Sequence, residues 1–463
     1  MENIKKRTIN IKIPNINETG FGLNGTDTRL AWRNECKNKL LAGKDVFNRW
    51  QQNLKSYEEK HHSRPINSYR WELYEENNPT PILIDRPTSL FIIDLINFEF
   101  NEDLDLNKYI FLTQVLFVNT RFNKKITMNC SLFERGADFS YANFVEDAMF
   151  ISSTFKISST FNHSIFKAKA LFSKSHFSYA TFNEVQFHSD SNFFGAIFNL
   201  VAEFNGCLFA GQTNFSGESR YNEPLQFFGD IKFSGSHFWD YVDFSNREFK
   251  GKTKFDKYNK LKTIFDKAPI FHNCVLHQGT TFSKAIFPPP SKNDVDSAKA
   301  YNTLRYLMSQ QQAFKEEQRF FMLELETERF NAAGRVKLLY QIYKLLSNYG
   351  FSTYRPAVFL ILIPLIISFL FNGYIASNCL PLSHTCKFDP SLVVKTLEFS
   401  FLQSLPPLGL DKLSLQLRSD LLSMKPPFDD VILTLETIFQ KILSLLGWFF
   451  IVLSLRNLFR MKY

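Results

Sequence analysis

The sequence predicts a β-solenoid plus α-helices, and three observations predict it. Phenylalanine supplies 52 of the 463 residues. From Phe100 onward an apolar residue recurs at alternating steps of six and five. Near the C-terminus lie two long apolar stretches. So many aromatic residues exclude a globally disordered chain. The net charge of +9 is mild for this length, permitting contact with anionic lipid or nucleic acid but arguing for neither.

Steps of six and five match neither a helix nor a flat strand. The markers run Phe133, Phe139, Phe144, Phe150, Phe155, Phe161, Phe166, Phe172 and Phe177. Two steps of five then lead to Phe182 and Phe187, and the alternation resumes at Phe193, Phe198, Phe204, Phe209 and Phe215. A second column stands two residues before each marker, small from Ser131 to Thr213 except at Val185. Residues two apart on an extended segment point to the same side. Each unit is therefore a short extended piece with one large and one small inward side chain, followed by a corner. Two steps of five and two of six make a 22-residue coil. Phe133, Phe155, Phe177 and Phe198 then stack in one column, and three further columns start at Phe139, Phe144 and Phe150.

The polar stretch GESRYNEPLQ breaks the pattern, so residues 217–226 read as a loop extruded from a corner. The markers restart at Phe228, Phe233, Phe238, Phe244, Phe249 and Phe255, blur through Lys257–Lys262, and continue at Phe265, Phe271, Leu276, Phe282 and Phe287. About nine coils follow, on the order of 40 Å tall at the strand spacing. Cys207 and Cys274 fall in the small column, as buried apolar fillers.

The units GADFS, YANFV, SSTFK, SYATF and GAIFN resemble the Phe-centred repeats of the pentapeptide-repeat family. The resemblance implies a right-handed quadrilateral β-helix. The leader LLAGKDVFNRW and the segment AYNTLRYLM…EEQRFFMLELETER also resemble parts of that family. So do SNYGFSTYRPAVF, TLEFSFLQSLPPLGLDKL and SLRNLFRMKY, which resemble the C-terminal module of its bacterial two-span members. The resemblance implies a bacterial inner-membrane protein. The expected division is an N-terminal helical and irregular cap (1–89), the β-helix (90–290), a helical linker (291–350) and a two-span module (351–463).

Sheet edges at the two ends of a solenoid need covers. Residues 28–58 read as helical, and residues 59–88 as an irregular connection. Pro288, Pro289 and Pro290 end the β-helix, because proline cannot donate to a ladder. Ala298–Phe330 carries helical periodicity. Arg335–Ser347 is an amphipathic, basic helix, and it reads equally as a membrane-surface helix or a capping helix.

Residues 356–376 carry no charge and are long enough to cross a bilayer, with Pro364 as a kink. Residues 431–455 form a second span, interrupted by Glu436, Gln440 and Lys441. Basic residues flank the outer ends of both spans, which places both termini and the β-helix in the cytoplasm. Segment 377–430 is then periplasmic, where Cys379 and Cys386 form a disulfide or remain two free thiols. The N-terminus MENIKKRTIN lacks the apolar core of a signal peptide.

No nucleophile, zinc or phosphate-loop motif is present in the sequence, so neither enzyme activity, cofactor nor metal is expected. The expected role is a membrane-anchored scaffold that displays the β-helix to an unidentified protein partner. An alternative is an oligomeric, channel-like pore, since two spans and a short helix (391–405) share the layout of two-span channels. Glu436, Gln440 and Lys441 would line it; against this, a selectivity-filter motif is lacking. Another reading places the three at the outer interface, with Lys441 snorkelling or pairing with Glu436. DNA mimicry needs a polyanion, whereas residues 111–288 carry 19 Lys/Arg against 15 Asp/Glu. Nucleic acid is therefore not an expected partner.

Overall fold

The computed structural model describes residues 25–61, 71–75, 78–84, 92–218, 225–289, 295–377, 390–405, 411–422 and 427–460. The chain forms two compact units, residues 1–290 with 296–320 and residues 291–295 with 321–463.

The first unit is a four-sided parallel β-solenoid. Phe111 pairs with Phe133, and Phe133 with Phe155, each 22 residues on. Two faces stack eight strands each, and a third stacks seven. Isolated bridges at Ile270, Val275, Thr281 and Ile286 carry the ladder one coil further. Paired strands thus make seven or eight coils, fewer than the expected nine, because pairing thins to single bridges at the C-terminal end.

The corners explain the alternating step. Asn97, Lys108, Asn119, Cys130, Tyr141, Ser152, His163 and Lys174 lie eleven residues apart and are all left-handed, with φ from 53° to 62°. Gly195, Gly206 and Gly235 occupy later corners of the same kind. A left-handed side-chain-bearing residue costs roughly 1–2 kcal/mol, so the packing inside must outweigh it.

That packing is a set of ring stacks. Phe161 lies parallel between Phe139 at 4.8 Å and Phe182 at 4.7 Å. Its edges meet Phe150 and Phe172 at 86° and 83°. Offset-parallel and edge-on arrangements are the two that aromatic quadrupoles favour. Every marker from Phe133 to Phe215 is at most 1% exposed. The small column makes room for the rings and serves the backbone. Ser131 Oγ donates to Leu106 O at 2.6 Å, Cys207 Sγ to Phe182 O at 2.7 Å and Cys274 Sγ to Phe244 O at 3.0 Å. Ser153 and Ser175 donate likewise to Met128 O and Phe150 O. Burial pushes the Cys207 and Cys274 thiols up to about 12.

Several expectations need correction. Phe227 fills the column and Phe228 points outward, 51% exposed. The insertion ahead of this FF pair hides the phase, and the later steps of six and five count back to Phe227. The blurred segment Lys257–Lys262 is an antiparallel hairpin, with Tyr258 opposite Leu261. The short step to Phe182 is a register shift between Phe155 and Ser158 against the next coil. Within 59–88, Trp71–Glu75 pairs antiparallel with Asn78–Ile84, where only an irregular connection was expected. Both carry apolar and β-branched residues that favour strands.

Helices α1 (Gly25–Leu41) and α2 (Lys44–His61) cover the N-terminal edge. Within the ladder, Leu132 N donates to Tyr109 O and Glu134 N to Phe111 O. One coil earlier, Ile110 N and Leu112 N donate instead to Asn48 Oδ1 (2.9 Å) and Gln51 Oε1 (3.2 Å) of α2. These two side chains stand in for the carbonyls of a missing coil. Phe47 closes the column below Phe111, with ring centroids 5.2 Å apart. At the other end, α3 (Val295–Gln310) and α4 (Phe314–Asn331) divide the expected 298–330 helix in two. Phe320 packs edge-on against Phe282 and Phe287. Arg319 donates to Phe282 O at 2.9 Å and to Ala285 O.

The second unit is helical. Helix α5 (Gly334–Ser347) follows the end of α4. A span-length helix runs through α6 (Tyr354–Pro356), a π-helical stretch (Ala357–Leu362) and α7 (Ile363–Ser377). The π-helical turns directly precede Pro364, whose nitrogen cannot make the helical hydrogen bond. Helices α8 (Pro390–Ser404), α9 (Asp411–Leu422) and α10 (Pro427–Arg460) complete the unit. Tyr354–Asn372 and Val431–Asn457 are long and apolar enough to cross a membrane, and each is only 22% buried. The turn after α5 holds Asn348, Tyr349 and Gly350 all at positive φ. Asn457 of α10 fixes it by donating to Gly350 O at 2.9 Å.

Candidate functional site

The helical unit conceals a polar seam between α7, α8 and α10. A helix satisfies its own backbone, so polar side chains inside an apolar bundle must find one another. Ser368 and Asn372 of α7, Ser400 and Ser404 of α8, and Gln440 and Ser444 of α10 are all buried. Asn372 Nδ2 donates to Ser368 Oγ (3.0 Å) and Ser400 Oγ (3.1 Å). Gln440 Nε2 donates to Ser400 O (2.9 Å) and Ser404 Oγ (2.8 Å). Ser444 Oγ and Trp448 Nε1 both donate to Ser404 O, at 2.5 and 3.0 Å. Glu436 interacts with Ser368 on the same side of α10 as Gln440.

Lys441 lies elsewhere. It is exposed, while Gln440 beside it is buried. At about 100° per residue, Glu436 and Gln440 share a helix face and Lys441 does not. Cys379 and Cys386 lie outside the described residues.

Sequence reasoning missed the donors that complete the seam, because single Ser and Asn residues in apolar helices are common and carry no motif. It also missed Arg247. This residue occupies the small column two before Phe249, yet it is fully buried. Its guanidinium donates to Phe215 O (2.7 Å), Ala196 O (2.9 Å) and Ser216 O (3.1 Å), and lies 4.1 Å from the Phe227 ring centroid. Burial pulls its pKa down to about 9. One coil earlier, beside the extruded loop, the column holds Leu225 where a hydroxyl would serve Phe193 O, and Arg247 Nη2 reaches that carbonyl instead, at 3.4 Å. Arg247 bridges that gap from the next coil.

The solenoid surface is laced with pairs one coil apart, such as Lys124–Glu146 at 2.9 Å and Lys156–Glu134 at 2.7 Å. Two apolar areas stand out from it. Ile157, Leu200 and Phe228 are exposed along one corner. Trp239 and Tyr241 are exposed on another face, where Trp239 Nε1 donates to His237 Nδ1 at 3.0 Å. In α5, Lys344 pairs with Glu326 at 2.7 Å and Tyr340 donates to Glu328 at 2.7 Å. Its other side exposes Leu338, Leu339, Ile342 and Leu345.

Comparison of the chain with protein-family models, with curated proteins and with solved structures finds no match.

Proposed function

We propose that the protein is a non-enzymatic, membrane-anchored scaffold. In this reading the solenoid stands on the cytoplasmic side of a bacterial inner membrane and presents its faces to a protein partner. The repeat units support membership of the pentapeptide-repeat family. The observation that carries the reading is a capped solenoid in the same chain as two apolar helices only 22% buried. Helices of that composition left so uncovered call for a lipid surround. The uncovered apolar side of α5 fits the membrane surface. The exposed Ile157, Leu200 and Phe228, or Trp239 and Tyr241, supply the apolar and aromatic contacts on which interfaces rely.

The test is alkaline carbonate extraction followed by photocrosslinking from Phe228 and Trp239. The chain is expected to stay in the membrane fraction. A crosslinked partner is expected at one of the two positions, lost from position 228 when Leu200 is replaced by Asp or from position 239 when Tyr241 is. Release by carbonate would overturn the anchor. Labelling of Cys379 and Cys386 from the cytoplasm alone would overturn the orientation.

A second reading, an oligomeric two-span pore, draws on the polar seam. Several chains would be needed to enclose a path. Single-channel currents in liposomes, reduced by substituting Glu436, would favour it over the scaffold.

A further inference from the structure

We propose that the seam between α7, α8 and α10 is a binding site for one monovalent alkali cation, held by oxygens of Glu436, Asn372 and Gln440. Among the described residues, three buried oxygens there meet no hydrogen-bond donor: Glu436 Oε2, Asn372 Oδ1 and Gln440 Oε1. Asn372 and Gln440 are 1% and 2% exposed, so water at the surface does not serve them. Each side chain also touches the Ser368–Ser400 pair, whose hydroxyl oxygens are 3.4 Å apart. Asn372 donates to both hydroxyls, Gln440 to Ser400 O, and Glu436 interacts with Ser368. The amide orientation of Gln440 is fixed, because its nitrogen faces the Ser400 carbonyl, which only accepts.

A buried oxygen without a donor is costly, and an unpaired buried carboxylate more so. A cation removes both costs together. Carboxylate, amide and hydroxyl oxygens are hard ligands that suit alkali and alkaline-earth ions. The three ligand side chains bring a single formal charge, which a monovalent ion neutralises and a divalent ion exceeds. The three come from two different helices, with Ser400 of α8 between them, so the ion would tie the helices together. This inference is independent of the solenoid's partner and of conduction, since a bound ion need not pass through.

The experiment uses the full chain in detergent. Its unfolding midpoint is measured in sodium, potassium and N-methylglucamine chloride at equal ionic strength, and retained radioactive sodium or rubidium is counted after dialysis. The midpoint is expected to rise with sodium or potassium, and the chain to retain labelled ion. Asn372→Ala is expected to raise the half-saturating concentration by about 10-fold or more, and Glu436→Gln to abolish the response. Should Glu436→Gln fail to fold, Asn372→Ala and ion retention by the unaltered chain decide alone. Equal midpoints in all three salts with no retained ion would overturn the site. So would a cation response that neither variant changes.

Discussion

The two cores of this protein solve the same problem in opposite ways. In the solenoid, each coil's backbone is satisfied by the coils next to it, so the interior is left to rings. Six rings surround Phe161, with centroids at 4.7 to 6.4 Å. In the helical unit each backbone serves itself, and the interior between α7, α8 and α10 is partly built from hydroxyls and amides. Removing a group should therefore cost cavity energy in the first core and hydrogen-bond energy in the second.

The largest expected effect is Phe161→Ala, at about 3–5 kcal/mol, read by urea unfolding or by hydrogen exchange of the neighbouring coils. Phe228→Ala is the control and should stay within about 0.5 kcal/mol. Equal losses would mean that the columns do not carry the stability. Arg247→Met comes next. It strips donors from several buried carbonyls at once, each worth about 1–3 kcal/mol, and Arg247→Lys should recover part. Gln51→Ala, which leaves Leu112 N unserved at the edge, should cost about 1–3 kcal/mol and first loosen the N-terminal coil in hydrogen exchange. Gln440→Leu is expected to cost about 1 kcal/mol, in the range of interhelical hydrogen bonds in membranes. A loss as large as that of Phe161→Ala would erase the contrast between the cores.

The smallest effects are chemical. Single-cysteine chains should react with maleimide near neutral pH at exposed Cys130 and stay protected at Cys207 and Cys274, whose thiols sit at about 12. The contact between α4 and α5 should weaken in acid. Burial raises the Glu326 carboxyl, but bonds from Lys344 and Arg329 outweigh it and hold it below its ordinary value. Its contribution is complete above the unfolded carboxyl range and fades as pH falls through the lower folded value. Glu326→Gln should flatten that response.

How much was legible follows from how each core repeats. The Phe columns declare themselves because every coil restates them. Phase was lost where the chain inserts residues: before Phe227, where two adjacent phenylalanines offer two phases, and at the Lys257–Lys262 hairpin. Arg247 was illegible for the same reason, since an arginine in a column of small residues makes sense only beside the insertion it repairs. In the seam, Glu436 and Gln440 were legible as polar residues four apart in an apolar helix. Their partners Ser368, Asn372 and Ser400 were not, because nothing periodic links residues on three separate helices.

From Asn97 to Lys174 the left-handed corners recur every eleven residues, which makes the half-coil the unit of length. Removing 22 residues would shorten the solenoid and leave every later side chain on its own face. Removing eleven would still set ring on ring, yet everything downstream would leave from the opposite side. The solenoid therefore works as an indexing gear, in which whole turns change reach and half turns change direction.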